Sequence, residues 1–275
     1  MKTIIAPTDF SPISINAVNY AADMAFGINA KLILLHVIHL PIMAAELPVS
    51  KAIYSDLLDE AETEMAALCD KILQATGNNI LVETITVFGF FQQQIKSLCR
   101  INKPFAVVMA TKGAGATSHL LFGSNTIYAA KNLHCPVIVI PENKKFTGIK
   151  NIALASDLKD VSETIHFDYI KNLLKLFDAR LDIVCIMKND SGVHKKEMTG
   201  AITFQNQLDK FHPQLHFITS PNIEAGVLEF AKDNKADLLI IIPKKHGLLE
   251  SLFHKSQSKS FIDHPHIPML FVTEA

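Results

Sequence analysis

The chain has 275 residues, 49% of them hydrophobic and 19% charged, with a formal net charge of -1. This composition excludes a disordered chain, and the length suits one large domain or two of ordinary size. The charge balance gives no electrostatic reason to expect nucleic acid or an anionic membrane as a partner.

The opening stretch MKTIIAPTDF is broken by Pro7 and Asp9, so no secretory leader is expected. No apolar run reaches the roughly 20 residues needed to span a bilayer. Cys69, Cys99, Cys135 and Cys185 are scattered, without a CxxC pair or metal-ligand spacing, and read as reduced thiols. Together these point to a soluble cytoplasmic protein.

In chain order, the first half offers strands at 3–6, 32–38, 81–87, 105–110 and 137–140. Helical patterns lie between them, at about 12–26, 50–75, 90–101 and 125–133. Ser11 before Pro12 reads as an N-cap with proline in the first turn. Gly77 reads as a stop after the second helix. The strands are continuous apolar runs, as expected of parallel strands covered on both faces. In FGFFQQQ, Gly89 marks a strand-to-helix turn, with Phe90 and Phe91 expected in a core or interface.

The second half repeats the plan, with strands near 151–155, 181–186, 215–219, 237–242 and 269–273. TIIAPTDFS returns as NIALASDLKD, which makes Asp9 and Asp157 equivalent, and HCPVIVIP returns as HIPMLFVT. The repeat implies two similar domains, over 1–143 and 148–275, joined by the polar stretch PENKKFTGIK. Each is expected to be α/β, an open parallel five-stranded sheet flanked by helices, Rossmann-like.

Ligands of such sheets bind beyond the carboxyl ends of the strands. Both Pro7-Thr8-Asp9 and the stretch MATKGAGATSHLLFGSNT (109–126) follow strands directly. Gly113, Gly115 and Gly123 would let a backbone approach an anion closely. The N–H groups of Ser124, Asn125 and Thr126, at a helix start, would suit phosphate. Asp9 could accept hydrogen bonds from ribose hydroxyls. The structural alternative stays open beside this: glycines of a plain turn, Ser124 an N-cap, Asp9 a cap of the first helix. The stretch matches neither a P-loop nor a dinucleotide fingerprint.

Its spacing resembles the nucleotide loop of the universal stress protein family, G-x2-G-x9-G-S/T, with Gly113, nine intervening residues, Gly123 and Ser124 in place. IIAPTDFS, LILLHV and CPVIVIP resemble that family as well, and the tandem form covers the whole chain. The resemblance implies an adenine nucleotide (ATP, ADP or AMP, with Mg2+) in the first half and a regulatory role in stress. Asp9 would meet ribose, with Pro7 and Thr8 beside it, and the Val37 backbone would meet adenine. Met109 and Ala110 would flank the nucleoside. Gly113, Gly123, Ser124, Asn125 and Thr126 would hold phosphates, and Lys112 would add charge. No general base is evident, so at most slow hydrolysis is expected.

Ala110 departs from the motif, standing at its first glycine. A methyl there is harmless in an extended conformation and costs about 1 kcal/mol or more at positive φ. The second half departs further: IIIPKKHGLLESLFHKSQSKSF has Lys255 at the place of Gly123, and Pro243 removes a backbone donor. That half is expected to be a pairing domain, with the closing strands VIVI and MLFV as pairing surfaces within the chain or in a homodimer. The basic residues Lys244, Lys245, His246, Lys255 and Lys259 read as a solvated loop. Asp263, His264 and His266 make a poor metal site. The competing reading of the whole chain is a nucleotide-free interaction scaffold of the same fold.

Overall fold

The computed structural model describes residues 1–39, 51–112, 122–187, 195–242 and 266–272. The chain divides into two compact units, the first ending at Phe146 and the second starting at Thr147. The first unit contains β1 (Thr3–Pro7), α1 (Pro12–Gly27), β2 (Lys31–Ile38), α2 (Lys51–Ala75), β3 (Val82–Phe88), α3 (Phe91–Asn102), β4 (Ala106–Ala110), α4 (Ser124–Asn132) and β5 (Val137–Ile140). Its sheet runs β3-β2-β1-β4-β5, all parallel.

The central strands are apolar because helices cover both faces. Ile4, Ile5 and Val107 are fully buried, and β4 is buried along its whole length. β3, at the edge, is half exposed and tolerates Glu83, which pairs with Lys31 of β2. Between β3 and α3, Gly89 takes φ +135°, a conformation closed to other residues. Beyond it the two phenylalanines part company. Phe91 is buried, whereas Phe90, expected in a core or interface, stands 68% exposed at the helix N-cap.

The second unit contains β6 (Asn151–Ala155), α5 (Val161–Thr164), α6 (Phe167–Phe177), β7 (Arg180–Met187), α7 (Lys195–Leu208), a 3-10 turn (Asp209–Phe211), β8 (Gln214–Thr219), α8 (Ile223–Asp233), β9 (Leu238–Ile241) and β10 (Met269–Phe271). Its order, β8-β7-β6-β9-β10, repeats that of the first sheet. The register repeats too. Ile4 lies between Leu32 and Ala106, and Ile152 lies between Leu181 and Leu238. The fold is therefore α/β with parallel sheets, as the alternation of runs predicts. Among the described residues no helix is long and apolar enough to cross a membrane.

Candidate functional site

Strand order fixes where a ligand can lie. From β1 the chain moves outward through β2 and β3, then returns to β4 on the other side of β1. The connections above β1 and β4 thus diverge, leaving a crevice at their carboxyl ends. The residues singled out from sequence converge on this edge. Pro7 ends β1, Val37 is next to last in β2, Met109 and Ala110 end β4, and Ser124 opens α4.

The turn after β1 is held by its own side chains. Thr8 is buried, and its hydroxyl lies 3.0 Å from that of Ser14 and accepts the Phe10 N–H at 3.0 Å. Asp9 is exposed. Its Oδ1 accepts from the Ser11 N–H at 3.1 Å and the Ser11 hydroxyl at 2.6 Å. The N-cap of α1 is Ser11, which accepts the Ser14 N–H, so Asp9 shapes the turn rather than capping the helix. These bonds hold Phe10 at φ 60°, which costs a bulky residue on the order of 1 kcal/mol. The His36 ring of β2 supports it, 4.5 Å between centroids, while His36 Nδ1 lies 2.9 Å from the Thr8 carbonyl. A carbonyl only accepts, so Nδ1 carries the proton.

Across the crevice, β4 and α4 are locked together. Thr126, 2% exposed, donates its hydroxyl to the Ala110 carbonyl at 2.9 Å, and the Gly123 N–H donates to the Thr111 carbonyl at 2.8 Å. The N-cap is Gly123, not Ser124, so no side chain caps α4. Ser124 and Asn125 are exposed in its first turn. Among the described residues the helix start is a positive end without a side-chain cap, placed beyond β4.

Two backbone conformations bear on the motif. Ala110 pairs with Ile140 in the β4–β5 ladder and is not among the residues with positive φ, so its methyl carries no strain. Gly123 has φ -70° and ψ 157°, which any residue can adopt. The backbone therefore does not require glycine there. Lys112 is half-buried beside the buried Thr111. Gly113 and Gly115 lie outside the described residues, as do Lys255 and the rest of the basic stretch 244–259, Asp263 and His264. Among the described residues no group of three or more His, Cys, Asp or Glu could hold a metal ion.

Thr111, Ser14 and His36 were not legible as site residues. The turn into α1 sets Ser14 against Thr8, and the β1–β2 register sets His36 beside the β1 turn. In the second unit the equivalent turn survives. Ser156 Oγ accepts from the Leu158 N–H at 3.0 Å, Asp157 Oδ1 from the Lys159 N–H at 3.0 Å, and Leu158 has φ 57°. Where the first unit has His36, the second has Cys185, buried and with its thiol pushed up to about 11 by burial and by Glu197 and Asp157.

The universal stress protein family model matches residues 1–141. Over 145 residues the chain is 29% identical to a universal stress protein of Methanocaldococcus jannaschii, an alignment covering 52% of this chain and 84% of that one. A universal stress protein structure from Archaeoglobus fulgidus superposes with a TM-score of 0.69 at 17% identity, covering 99% of this chain and 96% of its own. A Pseudomonas aeruginosa structure gives a TM-score of 0.59 at 14% identity, covering 100% and 94%. These two likenesses are of fold. With its parallel sheet, its switch-point crevice and a family match over the first half, the chain belongs to the universal stress protein family.

Proposed function

We propose that the first half binds an adenine nucleotide (ATP, ADP or AMP) across the β1–β4 crevice, as the regulatory ligand of a cytoplasmic stress-response protein, and that the second half does not. One observation carries this reading: the uncapped start of α4 is fixed beyond β4 by the Thr126 and Gly123 hydrogen bonds, beside the β1 turn. A helix start of this kind favours phosphate. Gly123 has no backbone need to be glycine, so its missing Cβ is best explained by close approach of a ligand.

The assignments follow from position. The N–H groups of Ser124, Asn125 and Thr126 take phosphate oxygens, with Gly113 and Gly123 letting the loop close on them. The Thr126 hydroxyl is committed to Ala110, which leaves that residue its backbone. Lys112 adds positive charge, and Mg2+ would accompany the phosphates. Asp9 with Pro7 and Thr8 faces ribose, the Val37 backbone meets adenine, and Met109 and Ala110 flank the nucleoside. Occupancy would change the surface that the 111–124 loop offers to partners. Such a change requires different affinity for two states.

The test is to denature freshly purified protein, identify any released nucleotide by mass spectrometry, and titrate ATP, ADP and AMP into the emptied protein by calorimetry. One nucleotide per chain is expected. Two per chain would overturn the assignment of the second half. No release, no binding heat and an unchanged melting temperature with ATP would overturn the proposal and leave an interaction scaffold.

A further inference from the structure

Cys99 and Cys135 are 36 positions apart, yet the Cys135 thiol donates to the Cys99 sulfur at 3.1 Å. Cys99 lies in the last turns of α3 and Cys135 two residues before β5. Each is 8% exposed, and both are free thiols. A disulfide needs its sulfurs at about 2.05 Å, so closure asks for a shift of about 1 Å between side chains that already touch.

Packing alone does not explain two thiols here. The registers Val107–Val137 and Leu239–Met269 align the halves, and Lys103, which caps α3, and Lys235, just after the Asn234 cap of α8, both have positive φ. On that alignment Ala231 stands for Cys99 and Ile267 for Cys135, and both are buried. An alanine–isoleucine pair fills the same place in the second half.

We propose that Cys99 and Cys135 are an oxidative modification site, closing to a reversible intramolecular disulfide when the protein meets hydrogen peroxide. Cys135 holds its proton, because its bond to Cys99 and then burial push its thiol up. Cys99 accepts the Cys135 S–H, the bond that would stabilise a Cys99 thiolate, and is assigned as the nucleophile. Its sulfur attacks one peroxide oxygen and the O–O bond breaks, giving a sulfenic acid and one water. Cys135 then attacks the Cys99 sulfur, forming the S–S bond and expelling the second water. The two thiols lose two electrons in all, and the peroxide gains them. A dithiol reductant reverses the reaction. The closed loop would enclose β4, Thr111, Gly123 and α4, and so tether the base of the α4 segment without touching the crevice.

Peptide mapping of the full chain tests this. Trypsin cuts after Lys96, Arg100, Lys131 and Lys144, isolating the two cysteines in peptides 97–100 and 132–144. After hydrogen peroxide, quenching and alkylation, these are expected as one linked species, lighter than the pair by two hydrogens and split by dithiothreitol. Recovery of both as separate alkylated peptides, at a peroxide dose that oxidises Cys69, overturns the proposal. In Cys135→Ile, which copies the second half, Cys99 should become trappable by dimedone as a sulfenic acid, at least tenfold above the wild type. Equal trapping in the two proteins overturns the assigned order of attack.

Discussion

The turn after β1 and the turn after β6 are built alike, yet their surroundings differ. In each a hydroxyl, Thr8 or Ser156, holds the N–H of a bulky residue at positive φ, and an aspartate accepts from the residue two positions on. In the first half Phe10 leans on His36, half-buried beside a groove of roughly 690 Å³ between α1 and α2. In the second half Leu158 is fully buried under α7, and a Cβ on Gly200 would strike the Leu158 carbonyl. The aspartate turn thus belongs to the repeated fold whether or not a nucleotide loop follows it. Asp9 is weak evidence for a ligand, and the distinction between the halves rests on the start of α4.

The sharpest way to break that comparison is to move the second half's residue into the first. Gly123→Lys should weaken ATP binding on the order of 100-fold, about 2.7 kcal/mol, with the melting temperature nearly unchanged. Retained affinity in calorimetry would detach α4 from the site. Next in size, Gly200→Ala should destabilise the protein by about 2 kcal/mol through overpacking against the Leu158 turn. A urea midpoint equal to wild type would show that α7 does not press on that turn.

Thr126→Val should cost about 1–2 kcal/mol by leaving the buried Ala110 carbonyl without its hydroxyl donor, and it should weaken ATP binding by misplacing α4. A matched pair then asks whether the two aspartate turns are equally held. Thr8→Val removes contacts to Ser14 and Phe10, whereas Ser156→Ala removes the one to Leu158. The first should lose roughly 0.5–1 kcal/mol more than the second in denaturant titrations.

A further difference between the halves is one of pH. Cys185 is raised to about 11 from an ordinary value of 9.0. The folded chain therefore keeps this proton where the unfolded chain gives it up. That contribution is whole below about pH 9 and lost as pH rises toward 11. The melting temperature of Cys185→Ser should fall less steeply than that of wild type between those limits. Parallel curves would remove Cys185 from the difference between the halves.

Much of the architecture was legible in the chain. Continuous runs such as Leu32–Val37 and Ala106–Ala110 mark strands covered on both faces, and Ser11-Pro12 marks a helix start, because these are local preferences. The spacing of Gly113, Gly123 and Ser124 marks a candidate loop only by its resemblance to the family motif, and Gly113 lies outside the described residues. A doublet of aromatics does not say which member turns into the core when the helix begins between them, and here Phe91 does while Phe90 is exposed.

What the tertiary structure alone decided are contacts between residues distant in the chain. The alanine at the motif's first glycine is harmless because register places Ala110 in an extended ladder opposite Ile140. Thr126 finds Ala110, His36 finds Thr8, and Cys99 finds Cys135, only once parallel strands fix which residues are neighbours. Local sequence sets the periodicity of each element. The register between elements is set by the packing of the whole sheet, and no single stretch of chain carries it.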